Sequence, residues 1–239
     1  MRHTLFIADL HLDEKHTLST QLFNQFMDNH APQAEAVYIL GDFFELWIGD
    51  DHETPYISTI KRRLKSLTEK NIPVYFMRGN RDFLIGKRFA KQTGCKILAE
   101  HSIAQVYGED VILLHGDSLC SLDLKHMKFR KLTNNLLLRA LFLSLPLRVR
   151  KKIGDSLRQS SRGHHSIVPD YLDVVPETID HIFSTTPAQL MVHGHIHKAS
   201  VFKTMLDHKP TERIVLGAWE HQGCALKWYE SGKKEMLFF

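Results

Sequence analysis

The chain has 239 residues, a formal net charge of +4, 43% apolar and 24% charged side chains, and neither glycine nor proline in excess. Such a chain can bury a core without staples, which excludes a disordered or fibrous polymer. The mild basic excess favours acidic partners such as phosphates, nucleic acid or anionic membrane, without choosing among them.

Three cysteines, Cys95, Cys120 and Cys224, are odd in number and form no C-x-x-C. A disulfide framework is not expected, and a reducing compartment fits. The apolar run near the N-terminus stops at Asp9, too short for a signal peptide. No stretch reaches the roughly 18–20 apolar residues of a spanning helix. A cytoplasmic protein is expected.

Residues 5–8 read as a buried strand. Apolar positions 18, 22, 23, 26 and 27 give residues 18–29 helical spacing. Residues 37–40 form a second buried strand closed by Gly41. Residues 56–70 form a helix with apolar positions 56, 57, 60, 64 and 67. Residues 74–77 form a third strand closed by Arg78-Gly79. This β-α-β-α-β order implies a parallel sheet with right-handed crossovers. Residues 103–106 and 111–115, joined across Gly108, read as a hairpin entering the same sheet system.

From residue 120 to 171 the pattern is helical, without strand signals. Residues 136–147 are strongly apolar. Between Lys125 and Arg158 there are ten Lys/Arg against one acid, Asp155. Strands resume at 190–192, and the tail reads as antiparallel strands at 200–205, 213–216, 225–229 and 235–239. The expected organisation is an α/β core over residues 1–119 and 172–239, with a helical insertion at 120–171.

Sixteen histidines are unusual, but their placement carries the chemistry. Asp9 and His11 follow the first strand, Asp42 the second, and Asn80, Arg81 and Asp82 the third. His115 follows the strand at 111, and His193, His195 and His197 follow that at 190. In open α/β sheets the crevice lies at the carboxyl ends of the strands. A mixed set of carboxylate, amide and imidazole donors at one rim suits two adjacent borderline cations such as manganese, iron or zinc. One carboxylate must bridge them, and Asp42 is the candidate. Alternation along Asp9-Leu10-His11, and around Ile196, is expected to turn both ligands to one side. Glycines at 41, 79, 116 and 194 permit tight approach.

Asp9-x-His11, Gly41-Asp42, Gly79-Asn80-x-Asp82, His115-Gly116 and Gly194-His195-x-His197 together resemble the calcineurin-like metallophosphoesterase signature. The resemblance implies a sandwich of two mixed sheets flanked by helices, with a dinuclear centre. It implies Asp9, His11 and His197 on one ion, Asn80, His115 and His195 on the other, and Asp42 between. His193 lies outside the motif and is expected to be structural. Asp82 and Asp117 are expected to orient histidine and arginine side chains.

Most relatives carry a histidine where this chain has Arg81. An arginine cannot act as a general acid, but it binds phosphate in a forked geometry. A departing alkoxide needs a proton, whereas a departing phosphate, whose second pKa is about 6, does not. Arg81 therefore points to cleavage of a pyrophosphate.

Longer strings narrow the match: Ile7 to Leu12, Gly41 to Asp51, Arg78 to Phe83, Leu114 to Cys120, and Leu216 to Trp219. They resemble the UDP-2,3-diacylglucosamine hydrolase family of bacterial lipid A synthesis. That resemblance implies hydrolysis of the nucleotide-lipid to UMP and 2,3-diacylglucosamine 1-phosphate, using two Mn²⁺. It implies a monomer, peripheral on the anionic cytoplasmic face of the inner membrane, with no nucleic-acid partner.

The 120–171 insertion would cap the cleft and house the acyl chains, with Arg148, Arg150, Lys151 and Lys152 attracting anionic lipid. The catalytic residues implied are Asn80, Arg81 and His115. Substrate contacts are implied for Asn80, Arg81, Asp123, Ser161, His165 and His195. His165 stands where relatives carry an asparagine, and a lysine that follows in relatives is missing. Two rival readings are a generic metallophosphoesterase acting on nucleotides or nucleic acid, and a scaffold that lost its metals. The full ligand set opposes the second.

Overall fold

The computed structural model describes residues 1–162 and 174–239, with the side chains of 159–162 outside that description. Ser161 thus enters by its backbone only, and His165 lies outside the described residues.

Strand alternation generates the layers. β1 (His3–Ile7), β2 (Ala36–Leu40), β3 (Val74–Met77) and the short β4 (Lys96–Ile97) run parallel. β10 (Cys224–Tyr229) and β11 (Lys234–Phe238) complete one six-stranded sheet, ordered β11-β10-β1-β2-β3-β4. β5 (Ser102–Val106), β6 (Glu109–Leu113), β7 (Leu190–His193), β8 (Ser200–Leu206) and β9 (Lys209–Val215) build a second sheet, ordered β5-β6-β7-β9-β8. Both sheets are mixed. The hairpin β5–β6 belongs to the second sheet rather than extending the first, because β6 pairs with β7.

On the first sheet, Leu5, Ile7, Val37, Ile39, Val74 and Phe76 face outward. They pack on α1 (Thr17–Asn29), α2 (Pro55–Thr68) and α3 (Lys87–Thr93) through Phe23, Phe26, Ile60, Leu64 and Phe89. The alternate residues Phe6, Tyr38, Leu40 and Met77 face Val111, Leu113, Leu190, Val192 and Ile214 of the second sheet. Ile112, Leu114 and Met191 then turn outward against Ile182 and Phe183. Those two belong to a helix after the insertion, Pro176–Ser184. The period of two thus supplies two buried faces per central strand, and burying each large side chain contributes about 1.5–3 kcal/mol.

α2 starts where the sequence supplies a start: Thr54 accepts from Ile57 N at 3.2 Å and Pro55 occupies the first turn. All three cysteines are free and buried.

The insertion between β6 and β7 contains α4 (Leu124–Thr133), α5 (Leu136–Ser144) and α6 (Leu147–Arg162), which makes the later helix Pro176–Ser184 α7. Pro146 separates α5 from α6, so the apolar stretch 136–147 is not one helix. α4 and α5 contain no buried residue. Arginines join the insertion to the core. Arg150, only 2% exposed, donates to Ile48 O at 2.7 Å and pairs with Asp51. Arg158 pairs with Asp13 and Glu45, Arg130 with Asp117 and Glu100, and Arg139 donates to Phe83 O. Arg150 is therefore not available to a lipid surface, which corrects the sequence expectation for that cation. Phe142 packs on the main core, whereas Leu136 and Leu137 are 77% and 81% exposed.

Candidate metal centre

The loops leaving β1, β2, β6 and β7 are laced together by their backbones. Asp9 N donates to Gly41 O, His11 N to Asp42 O, Gly194 N to His115 O, and Trp219 N to Asp9 O, all at 2.8–3.1 Å. Asp82, buried at the end of β3, accepts from Phe43 N at 2.8 Å and Gly79 N at 2.7 Å. It therefore pins two loops by their backbones, instead of orienting a histidine or arginine. Burial, with the charge of Asp42 beside it, raises its carboxyl to about 6.

The chain bends at the ligands themselves. Asp9, His11, Asp42, His195 and His197 have φ of 55°, 48°, 49°, 71° and 62°. Left-handed backbone costs a non-glycine residue about 1–2 kcal/mol, least for Asp, Asn and His. Asp9 and His11 thus converge through turns, not through the extended alternation that the sequence suggested. Close approach also demands glycine: a Cβ on Gly79 would collide with the Asp42 carboxylate, and one on Gly194 with that of Asp9.

The seven residues that the resemblance implies as ligands meet here. Ligand atoms of Asp9, His11 and His197 lie within 4.8 Å of one another, as do those of Asp9, Asp42 and His115. Asp9 belongs to both groups. Asn80 Oδ1 is 2.9 Å from His115 Nε2, and the His195 ring centroid is 5.1 Å from that of His115. His193 stands apart, buried between Gly194 O and Arg213, and burial lowers its pKa to about 3. It is a structural histidine.

The donors fit cations. Asp9 Oδ1 is buried and accepts no hydrogen bond among the described residues. His197 Nε2 lies 3.8 Å from it, and His11 Nε2 lies 3.2 Å from His197 Nε2. Behind the rings, His11 Nδ1 lies 3.1 Å from a Glu45 oxygen and His197 Nδ1 3.3 Å from a Glu220 oxygen, and His115 Nδ1 hydrogen-bonds Leu40 O at 2.9 Å. Such partners fix the tautomer and aim Nε2 at a shared point. Burial works against the charge on Glu45, but the His11 hydrogen bond and the charges of Arg81 and Arg158 hold its carboxyl at about 2. Burial likewise opposes charge on His115, yet Asp42, Asp9 and Asp117 raise it to about 9.

Of the other sequence candidates, Asp123 caps α4 by accepting from His126 N at 2.9 Å. Arg81 is half-buried; its backbone N donates to Asp42 Oδ1 at 2.8 Å. No carboxylate lies within ion-pair distance of its guanidinium among the described residues. Asp117 holds Arg130 at 3.1 Å and His126 at 3.6 Å, as expected of an orienting acid. Despite burial, the His126 hydrogen bond and nearby histidine charges keep its carboxyl at about 2.

Sequence reading missed Glu45, Glu220, His126, Arg130 and Arg158. His126, on α4, brings its ring centroid within 5.5 Å of that of His195.

The family model for calcineurin-like phosphoesterases matches residues 2–199. The chain belongs to the calcineurin-like phosphoesterases. That family carries a dimetal site, and the two groups around Asp9 are candidate ligands for one. Within this family, the chain is 45% identical to a Coxiella burnetii (strain RSA 331) protein named UDP-2,3-diacylglucosamine hydrolase, spanning 100% of this chain and 98% of the relative. A Stutzerimonas stutzeri protein of the same name is 43% identical, with 98% of both chains covered.

Two solved structures resemble it at a TM-score of 0.50. One is an archaeal phosphodiesterase, 11% identical, covering 99% of each chain. The other is vacuolar protein sorting 29 from Cryptosporidium parvum, 13% identical, covering 100% of this chain and 96% of that one. These two likenesses establish the fold, not the activity.

Proposed function

We propose that this phosphoesterase hydrolyses the pyrophosphate bond of UDP-2,3-diacylglucosamine, releasing UMP and 2,3-diacylglucosamine 1-phosphate, with two Mn²⁺ as its resident cations. The observation that carries the reading is the buried, unbonded Asp9 Oδ1 facing two histidines whose Nδ1 atoms lie 3.1 and 3.3 Å from the carboxylates of Glu45 and Glu220. Relatives bearing the hydrolase name over the whole chain length support the choice of substrate.

In this reading Asp9, His11 and His197 would hold one cation, and Asn80, His115 and His195 the other. Asp42 would be shared between them, and Asp9, which belongs to both ligand groups, would stand within reach of both. When bound, the pair supplies Lewis acidity and a water of near-neutral pKa. The chain does the rest. Nδ1 anchors keep the Nε2 lone pairs pointed inward. Arg81 offers forked donors to the pyrophosphate and stabilises charge on the departing phosphate without transferring a proton. The phosphate leaving group needs no acid catalyst, so the histidine absent at this position is not missed.

In this reading α4, α5 and α6 would cap the cleft, and the exposed leucines of α5 would offer apolar surface to acyl chains or headgroups. Asp123 and Ser161 are assigned to the substrate from the same family pattern, as is His165 outside the described residues. No helix among the described residues is long and apolar enough to cross a membrane. Peripheral attachment to the anionic cytoplasmic face of the inner membrane, as a monomer with no nucleic-acid partner, completes the reading.

The test is UMP release from UDP-2,3-diacylglucosamine by metal-stripped protein, with and without Mn²⁺. Mn²⁺-dependent release is expected. Hydrolysis of bis-p-nitrophenyl phosphate without UMP release would overturn the lipid assignment and leave a generic phosphoesterase.

A further inference from the structure

A cleft of about 270 Å³ opens between the end of β3 and helices α4 and α5, beside Asn80. Three arginines line it: Arg78, Arg130 and Arg139. Arg130 is neutralised by Asp117 and Glu100. The other two have no direct ion pair among the described residues, although the charges of Asp82 and Asp50 act on Arg78 from further away. Arg78 donates Nε to Ile85 O at 2.5 Å, and Arg139 donates to Phe83 O. Among the described residues neither has a carboxylate within ion-pair distance.

A guanidinium carries five N–H groups, so a single backbone carbonyl leaves most of each fork unanswered. Both side chains are half-buried, and burial followed by the charge of Arg78 lowers the pKa of Arg139. Two like charges in a partly desolvated cleft are unfavourable until an anion joins them. The planar, paired donors of arginine match phosphate oxygens. Phe83 adds an apolar wall, with the Arg139 Cζ 6.0 Å from its ring centroid.

We propose that Arg78 and Arg139 form a second phosphate site, beside the candidate metal centre, that binds the phosphate monoester of one of the two hydrolysis products. The inference rests on the pyrophosphatase reading, which gives both products a phosphate. The nucleotide and the sugar phosphate share that chemistry, and the adjoining cleft has room for a little more than the phosphate itself.

The experiment is calorimetric titration of the Mn²⁺-loaded full chain with UMP and with glucosamine 1-phosphate, in native protein, Arg139→Gln and Arg139→Lys. Removing one charge-assisted contact should weaken the bound ester about tenfold or more. Arg139→Lys should recover part of the loss. A purely structural arginine would shift the melting temperature and leave ester affinity untouched. The product whose affinity falls is the one the site holds. Equal affinity of native protein and Arg139→Gln for both esters overturns the proposal, provided the variant melts cooperatively. Cleavage of the lipid substrate is assayed separately. If it fails while Arg139→Gln still loses ester affinity, the lipid reading falls and the phosphate site stands.

Discussion

Arg158, near the end of α6, donates to Glu45 at 3.0 Å, and the other Glu45 oxygen lies 3.1 Å from His11 Nδ1. An insertion helix thereby acts on a candidate metal ligand through one carboxylate. Arg158 also pairs with Asp13, so the insertion grips the β1 loop on both sides of Leu12. Glu45 and Arg158 thus stand behind His11 as positioning residues.

Partners that orient a ligating histidine typically govern metal affinity by about 10–100-fold. Glu45→Gln should therefore weaken one of the two Mn²⁺ by about that factor and leave the other in place. Arg158→Ala should weaken the same cation less, because Glu45 keeps its bond to His11. Mn²⁺ titration followed by electron paramagnetic resonance resolves the two affinities. Equal loss of both cations, or of neither, would remove Glu45 from this role.

Asp9 belongs to both ligand clusters and Asp42 to one. Asp9→Asn should abolish high-affinity binding of both cations, and elemental analysis of purified variant should return close to none. Asp42→Ala is expected to lose both as well if its carboxylate bridges. Retention of one cation in Asp42→Ala, with none in Asp9→Asn, would move the bridge from Asp42 to Asp9.

Much of this centre was legible in the sequence because its ligands follow buried strands. An apolar run followed within a few residues by Asp, Asn or His marks a strand terminus, and five such termini imply one rim. What stayed hidden depends on contacts between distant segments. Glu45 lies inside a recognisable string, yet only the fold shows that it backs His11. Glu220 and His126 are far from their partners His197 and His195 in sequence. The left-handed backbone at Asp9 and His11 was equally unreadable, since extended alternation explains the same D-x-H spacing. α3 was missed because its seven residues are too short for a helical period to register. β5–β6 carried no mark of which sheet it joins. The basic run of the insertion was expected to supply cations to anionic lipid, but Arg130, Arg139, Arg150 and Arg158 turn inward to carbonyls and carboxylates.

His115 ties metal binding to pH. Without a cation its pKa stands at about 9, above the ordinary 6.5, despite the opposing effect of burial. A raised pKa means the ring is protonated at pH 7, with Nδ1 donating to Leu40 O and Nε2 to Asn80 Oδ1. A cation at Nε2 must displace that proton. Binding at pH 7 should release about one proton from this ring, and affinity should rise with pH until about 9. Calorimetry in buffers of different ionisation enthalpy counts the protons. The same count in His115→Gln should be lower by about one.

The surface of α5 separates lipid attachment from folding. Leu137 and Leu141 are 81% and 64% exposed, so replacing both with Asp should change stability by no more than about 0.5 kcal/mol each. If this face meets the membrane, the double variant should sediment less with phosphatidylglycerol vesicles, while Mn²⁺ content stays the same. Phe142 is unsuitable for this test because it packs on the main core, and a charge there would damage the fold. Arg150→Ala provides the contrast. Its loss leaves Ile48 O without its donor and frees α6 from Asp51, at a cost of about 1–3 kcal/mol. It should therefore lower the melting temperature, with vesicle binding retained at temperatures where the variant is folded. Undiminished sedimentation of the Leu137→Asp/Leu141→Asp variant would show that α5 faces the substrate's acyl chains or solvent instead of the bilayer.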